Sequence, residues 1–346
     1  MSQSSFDINT ISEPTNLQEA INWSVSSPNL TGKRWVVEQF KNVKDNTDAD
    51  TNSFSDAGFL NIQGTENAFA ISSSSNARYV YADAEKGSMI VVAEAARDII
   101  CSGGQPISAT AYLNFGDLSN KDVANQFSQS INGIRTVCAK FKTPVTAGDL
   151  YTNKKMNLLP VPTISMIGVI DDKKLQTSVS FKNKGDLIFM IGEPSNDVNA
   201  SEYLSKFHNI KETLAPTFDL DDEFELHHTI KNLIASGVVK SCKSVAEGGL
   251  FSALFNKCLQ GDFGFDITLP IEFRRDAFLF GEAQSRAVVT IIEEDLDLFL
   301  QLMEINNSKF LMLGHVTKSE LRIDHESYGF ADEMKLKFNS ALDSFL

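Results

Sequence analysis

The order of apolar and polar positions along this chain predicts strands that alternate with helices. Runs rich in β-branched and apolar residues at 68–72, 107–115 and 161–171 predict strands. Between them the pattern predicts two helices, at 88–102 and from 119 to about 141. The first helix stops at a Gly-Gly pair. The second carries apolar residues every three or four positions, which is typical of one buried face.

Polar stretches at 172–186 interrupt this pattern, and the alternation then resumes. An N-x-x-E sequence at Asn16 and Glu19 predicts a further helix start near the N-terminus. In the second half, strands are predicted at 186–192, 286–292, 310–316 and 321–324, and helices at 222–236, 248–259, 295–304 and from about 332. Mixed strands and helices in both halves predict an α+β or α/β protein of two domains, residues 1–175 and 176–346.

The charge balance limits the kinds of partner. The chain carries 31 Lys and Arg against 45 Asp and Glu, a net charge of −14. This argues against nucleic acid as a partner, because a phosphate backbone binds a basic surface. An anionic ligand would have to meet a local exception to the acidic field, and Arg78, Arg97 and Arg286 are the candidates for it.

Three features of the sequence indicate a cytoplasmic protein. No apolar stretch is long enough for a membrane helix, and the start MSQSSFDINT lacks the basic-then-apolar order of a secretion signal. The four cysteines are scattered and form no C-x-x-C pair, which argues against a disulfide framework or a zinc site. We therefore expect a protein of the reducing cytoplasm whose partner is neither a membrane nor a nucleic acid.

The stretch from 72 to 116 is the most informative for function. It is interpreted as a strand that delivers Asn76, Arg78 and Tyr79 to a loop containing Asp83 and Gly87, with a helix starting just after the glycine. Free N–H groups at a helix start attract phosphate, and a nearby carboxylate can hold magnesium. A capped helix behind a solvated acidic loop fits the same spacing, so the residues alone leave both interpretations open.

At this stretch the chain resembles the second synthase-like repeat of the phosphoribosylformylglycinamidine synthases, a family of ATP-dependent ligases of purine biosynthesis. The resemblance rests on NARYVYADAEKG, VAEAARDIICSGGQPI and LNFGD, and continues through TPVTAGDLYTN, PVPTISMIGVIDD, FKNKGDLIFMIG, SVAEGGL and DAFLFGEAQSR. The flanks SPNLTGKRWVVEQF and LGHVTKSELRID also fit, so the resemblance covers nearly the whole chain in one order.

The resemblance implies the fold of the aminoimidazole ribonucleotide synthase superfamily. Its members have an N-terminal domain whose sheet joins a partner's sheet to close a barrel, followed by a C-terminal α+β domain. Such pairing removes exposed sheet edges. In the full-length enzymes the partner unit is the preceding half of the same polypeptide. For this chain we expect a second copy in a homodimer, or a separate first-half synthase chain.

The resemblance also implies a reaction. In the family, ATP phosphorylates the formamide oxygen of formylglycinamide ribonucleotide, and ammonia displaces the phosphate to leave an amidine. Catalysis of this kind depends on magnesium, cationic groups and positioning. No cysteine here stands in a context resembling a glutaminase nucleophile, so a separate glutaminase subunit would supply the ammonia. ATP or ADP and Mg²⁺ are the cofactors that the resemblance implies.

Site residues follow by the same resemblance, while no catalytic residue is assigned. Nucleotide or phosphate contacts are expected from Asn76, Arg78, Tyr79, Asn114, Gly248 and Gly249, and magnesium contacts from Asp83, Asp149 and Glu247.

Three motifs depart from the family pattern. Ser74 stands where the family reads aspartate in D-C-N-x-R-Y, and Ala147 replaces a glycine of GGNVSFYN. In the family's AHDVSDGGL, Lys243 and Ser244 replace the histidine and the first aspartate, and Glu247 replaces the second aspartate. Because neither serine nor lysine supplies the negative charge of a magnesium ligand, we predict a degraded site on a preserved scaffold.

Two hypotheses about function remain open at this point. In the first, the chain is a synthase half that binds ATP and contributes to amidine formation together with partner chains. In the second, it is a non-catalytic module of the same fold that holds a nucleotide without turning it over. Binding of nucleotide and ammonia-dependent ATP hydrolysis are the observations that separate the two.

Overall fold

A computed structural model describes residues 6–33, 49–50, 55–153 and 159–345, and the flank that follows Lys33 lies outside these ranges as far as residue 48. The helices described there are α1 (Gln18–Ser26), α2 (Ala77–Ala82), α3 (Ala84–Cys101), α4 (Lys121–Lys140), α5 (Leu220–Ala235), α6 (Gly249–Cys258), α7 (Arg275–Phe280), α8 (Leu296–Ile305) and α9 (Ala331–Ser340). The strands are β1 (Ala49–Asp50), β2 (Gly58–Asn61), β3 (Ala68–Ser74), β4 (Gln105–Phe115), β5 (Val145–Thr152), β6 (Val161–Ile170), β7 (Leu187–Ile191), β8 (Ser241–Ser244), β9 (Gly264–Ile267), β10 (Ala287–Ile291), β11 (Phe310–Thr317), β12 (Glu320–Ile323) and β13 (Glu326–Phe330). The predicted mixed α and β class is confirmed.

The first sheet has the strand order β1-β2-β3-β6-β4-β5 and is antiparallel except for the parallel pair of β4 and β5. Along a strand, buried and exposed side chains alternate, because successive side chains point to opposite faces of the sheet. One face packs on α3, which in turn packs against α4. The other face, here called the open face, presents Ile71, Tyr112 and Ile167, which are 45%, 49% and 42% exposed, respectively.

The second sheet has the order β13-β12-β9-β11-β7-β10-β8 and is covered on both faces. All five residues of β10 are buried, and neighbours in that strand belong to different cores. Val288 packs into the core that includes α1, α6 and α9, whereas Val289 packs into the core that includes α5 and α8. A continuous apolar run is what a strand with two covered faces requires.

Helix α1 precedes the first sheet in the chain but packs on the second one. Leu17, Ile21 and Val25 are buried in the same core as Phe251 and Phe255 of α6. The N-terminal segment is therefore part of the core around the C-terminal sheet. The predicted domain boundary at residue 175 stays a prediction.

The start of α3 corrects the interpretation of the Asp83 loop. Asp83 is not part of a long loop; its carboxylate accepts a hydrogen bond from the Lys86 N–H at 2.9 Å and caps α3, which begins at Ala84. Gly87 lies inside that helix, not before it. A Cβ atom on Gly87 would lie 2.3 Å from the Tyr79 carbonyl carbon. The glycine thus serves the close approach of α2 and α3.

Two further observations bear on the predicted environment. No helix within the described ranges has the length and apolar character required to cross a bilayer. All four cysteines are free and buried.

Candidate functional site

One arginine forms ion pairs with three carboxylates at the place where α2 contacts the C-terminal half of the chain. The Arg78 guanidinium forms ion pairs with Glu202, with Glu247 at 3.2 Å and with Glu282 at 3.5 Å. Tyr79, the next residue of α2, donates its hydroxyl to Glu282 at 2.5 Å. We call these five residues the Arg78 cluster. It joins one short helix of the first half to three separate segments of the second half.

Four of the six residues that the sequence assigned to phosphate, Asn76, Arg78, Tyr79 and Gly248, bind these glutamates. The Asn76 amide donates to the Glu247 carboxylate at 2.9 Å, while its own oxygen caps α2 by accepting the Arg78 and Tyr79 N–H groups. The Gly248 N–H donates to Glu282 at 2.7 Å. Gly248 adopts a φ of 79°, a conformation that suits glycine and turns its N–H towards this carboxylate. Internal carboxylates therefore occupy the donors that would meet an anionic ligand.

The charges in the Arg78 cluster are not balanced. Glu202 and Glu282 have fully buried side chains, and 37% of the Glu247 side chain is exposed. Burial, followed by the charge of Glu282, raises the pKa of Glu247 to about 8. Burial alone would lower the pKa of Arg78, but the glutamates, with Glu282 first, raise it above its ordinary value. Burial and the neighbouring charge of Glu282 therefore favour the protonated form of Glu247.

A polar cavity of about 210 Å³ adjoins this cluster. Glu94 and Asp98 of α3 line one side, and Lys243, Ser244 and Glu247 line the other. Burial, and then the charge of Asp56, raises the pKa of Asp98 to about 8. This cavity and the Arg78 cluster together form the candidate site.

The other predicted site residues lie elsewhere. Tyr112 and Asn114 share one face of β4, and Asp149 pairs in register with Tyr112, so Asn114 and Asp149 belong to the open face of the first sheet. Asp83 caps α3. Gly249 begins α6 directly after Gly248.

The three carboxylates assigned to magnesium therefore do not meet. No group of three or more His, Cys, Asp or Glu side chains placed to hold a metal ion occurs in the described part of the chain. A divalent ion of the magnesium type requires several oxygen ligands around one point. The residues present do not fit such an ion, and the metal role of Asp83, Asp149 and Glu247 stays a prediction.

The sequence interpretation missed most of the acidic members of the site. Five acidic residues were not singled out from the sequence, namely Asp56, Glu94, Asp98, Glu202 and Glu282. A signal was available for Glu282, because a carboxylate inside the apolar run AFLFGEAQ must be buried and therefore needs partners. Glu94, within VVAEAARDII, carries the same signal.

Comparison with known proteins places this geometry in a family context. The sequence family described as AIR synthase related protein, N-terminal domain, matches residues 54–170. The family described as AIR synthase related protein, C-terminal domain, matches residues 183–325. The phosphoribosylformylglycinamidine synthase subunit PurL of Alkaliphilus metalliredigens is 34% identical over 321 residues, which is 92% of this chain and 43% of that protein. The chain thus spans less than half the length of this curated relative.

Solved structures show the same fold. PurL of Thermotoga maritima complexed with FGAR superposes with a TM-score of 0.73 at 15% identity, covering 92% of this chain and 53% of that one. The same protein complexed with ADP gives a TM-score of 0.71 at 14% identity, covering 92% of this chain and 52% of that one. At these identities the likeness concerns the fold alone.

Proposed function

Because this chain belongs to the AIR synthase related family and is of the phosphoribosylformylglycinamidine synthase type, we propose that it works as a synthase half in purine biosynthesis. It acts together with a partner unit in the ATP-dependent conversion of FGAR into the amidine. Phosphoryl transfer takes place in the partner unit. The cleft of this chain holds ATP or ADP without turning it over.

The observation that carries this proposal is the state of the phosphate donors. Asn76, Arg78, Tyr79 and the Gly248 N–H all bind glutamate carboxylates of the chain itself. A nucleotide phosphate has to displace these carboxylates, and the described residues offer no metal group to assist it. Phosphoryl transfer depends on metal ions and free cationic groups at the transferred phosphate. The arrangement therefore disfavours turnover, and the proposal that the cleft holds a nucleotide is supported by the related PurL structure complexed with ADP.

Calorimetry and an activity assay test this proposal on the whole chain. We expect ADP to bind at millimolar concentration, and we expect no ATP hydrolysis when FGAR and ammonium are supplied to the chain alone. Hydrolysis by the chain alone that requires both FGAR and ammonium would show that this half is itself catalytic. Absence of ADP and ATP binding at millimolar concentration would remove the nucleotide-holding role.

A partner surface is supported by the open face of the first sheet. Ile71 and Ile167 are exposed and pair directly across β3 and β6, and the exposed Tyr112 lies further along β4 on the same face, opposite Thr163. On the helix-covered side of the sheet, at its β5 edge, a groove of about 990 Å³ runs between α4 and β5, and its lining includes Leu113, Ile131 and Val145 among mainly apolar residues. Exposed apolar surface of this extent marks an interface. We assign it to the sheet of a second synthase unit, either a second copy or a first-half chain, and a glutaminase subunit supplies ammonia to the assembly.

Light scattering tests the partner surface. Ile167→Lys places a charge in the middle of the open face, and we expect it to shift a dimer to a monomer without a change in the circular dichroism spectrum. Ile271→Lys is the matched control, because Ile271 is 99% exposed and lies in the other half of the chain. A wild-type chain that is monomeric alone, and remains so when mixed with a first-half synthase chain, would contradict this part of the proposal.

A further inference from the structure

The cavity beside the Arg78 cluster is built from acidic side chains of one helix and a lysine of the opposite half. Glu94 and Asp98 are four residues apart on α3, so they lie on the same helix face and both line the cavity. Lys243 of β8 lines it from the other side. Glu94 is 8% exposed and the Lys243 side chain is 18% exposed, so both charged groups are largely shielded from water.

The Lys243 ammonium group is tied to a buried carboxylate. Its Nζ lies 2.6 Å from Asp56 Oδ1, and the Asp56 side chain is only 3% exposed. The neighbouring Ser244 completes the network, because its N–H donates to Asp56 Oδ2 at 2.7 Å and its hydroxyl donates to Asp98 Oδ1 at 2.5 Å. Lys243 Nζ also lies 3.4 Å from the Ser244 hydroxyl. One lysine and one serine of the C-terminal half thus bind two carboxylates of the N-terminal half.

A second serine does the same from the first sheet. The Ser74 hydroxyl donates to Glu94 Oε2 at 2.9 Å. Ser74 and Ser244 come from different sheets, yet both direct a neutral hydroxyl to a carboxylate on the same face of α3. Aspartate at these two positions would have added two carboxylates to Glu94 and Asp98, close to Asp56 and Glu247. Such a group would require an added cation.

The Lys243 ammonium group neutralises Asp56 without an added ion. Lys243 pairs with Asp56, and burial, ahead of the charge of Asp56, raises the pKa of Asp98 to about 8, so that this carboxyl is neutral at pH 7. Burial would lower the pKa of Lys243, but Asp56 and Asp98 raise it above its ordinary value, so the lysine is charged. An ammonium group in this position repels a divalent cation.

We propose that the Lys243 ammonium group is the resident cation of this cavity, and that it takes the place of a divalent metal ion in joining the two halves of the chain. The inference rests on the proposed function in one respect: if the cleft holds a nucleotide, Lys243 makes nucleotide binding independent of magnesium. Its test uses no nucleotide, so the two can fail separately.

The experiment measures melting temperature and Mn²⁺ binding on the full chain. Wild-type protein should neither bind Mn²⁺, followed by electron paramagnetic resonance of the free ion, nor melt at a different temperature when millimolar Mn²⁺ is added. Lys243→Ala leaves Asp56 without its partner and should lower the melting temperature by about 5 °C or more. Millimolar Mn²⁺ should then recover at least half of this loss and bind at a stoichiometry of one.

Two control variants sharpen the result. Lys243→Arg keeps the positive charge and should show no Mn²⁺ effect. Lys240→Ala removes another lysine from an ion pair, 3.0 Å from Asp295, in the same region of the chain but outside the cavity. It should lose little stability, and Mn²⁺ should recover none of it.

Two results would overturn the inference. The first is stoichiometric Mn²⁺ binding by the wild-type protein, a measurement that decides the question even if Lys243→Ala does not fold. The second is a destabilised Lys243→Ala that Mn²⁺ does not recover. Failure of ADP to bind any of these proteins would contradict the proposed function but not this inference.

Discussion

Two arginines, Arg97 and Arg78, illustrate two kinds of charge network in this molecule. The Arg97 side chain and its partner Glu223 are both fully buried and lie 3.0 Å apart. Glu223 also accepts the Ser285 hydroxyl at 2.7 Å, and its other oxygen lies 2.9 Å from His227 Nε2. Burial raises the pKa of Glu223, but Arg97 and these hydrogen bonds outweigh it and hold the pKa at about 2. This network is sealed and balanced.

The Arg78 cluster differs in both respects. Three carboxylates surround one guanidinium, 20% of the Arg78 side chain is exposed, and the pKa of Glu247 is raised to about 8 by burial and by Glu282. Because Arg97 and Glu223 are fully buried and oppositely charged, we interpret Arg97 as structural. An unbalanced cluster beside a cavity can exchange protons or partners, and perturbed groups of this kind mark functional sites.

Loss of the sealed pair should have the largest effect. Arg97→Met removes the cation but keeps most of the volume, and it leaves Glu223 charged and buried. We expect a loss of about 3–5 kcal/mol in the free energy of unfolding, measured by urea denaturation. Arg275→Met is the control, because Arg275 pairs with Asp324 at 3.0 Å with both side chains about a quarter exposed, and it should cost about 0–1 kcal/mol. Equal losses in the two variants would remove the distinction between sealed and open networks.

Replacement of the central acceptor of the Arg78 cluster should have an intermediate effect. Glu282 receives hydrogen bonds from the Tyr79 hydroxyl, the Gly248 N–H and, at 2.9 Å, the Glu202 N–H. Glu282→Gln replaces one acceptor oxygen by an NH₂ group, which leaves at least one of these donors facing another donor. We expect a loss of about 1–3 kcal/mol in the free energy of unfolding. A variant as stable as wild type would mean that the cluster is not held together by this carboxylate.

A change in pH dependence should be the smallest effect. Because folding raises the pKa of Glu247 from 4.5 to about 8, the folded state binds more protons between these values, and the free energy of unfolding falls as pH rises through this window. Glu247→Gln cannot lose a proton, so its stability should fall less from pH 5 to pH 8. With 37% of the side chain exposed, solvent screening limits the difference to about 1 kcal/mol. Parallel curves for the two proteins would show that Glu247 is ionised throughout.

Long elements were predictable from the sequence, whereas short ones were found in some cases, such as β7 and β12, and missed in others. The pattern placed α4, α5, β6 and β10 within a few residues, because each has enough positions to show its period. Strands β8 and β9 have four residues each and were missed. Strand β5 was also missed. All of its eight residues are exposed, and it pairs with β4, which is distant in the chain. Such strands exist because of their partners, not because of their own sequence.

The candidate site shows the same division. Asn76, Arg78, Tyr79 and Gly248 were singled out from local motifs, and the structure brings them to one place. Asn114 and Asp149 were singled out in the same way but lie on the open face of the first sheet. Position along a motif indicates that a residue is important, but the face of a strand on which it lies is fixed by register.

The sequence by itself determined the fold class, the family and the loss of aspartate at two motif positions, since these depend on local patterns and on their order. Only the tertiary structure decided what replaced the lost charge. Asp56, Asp98 and Lys243 are far apart in the chain, and they form one network because α3 packs against β8. A charge balance depends on distance and burial, and neither of these is written in the order of residues.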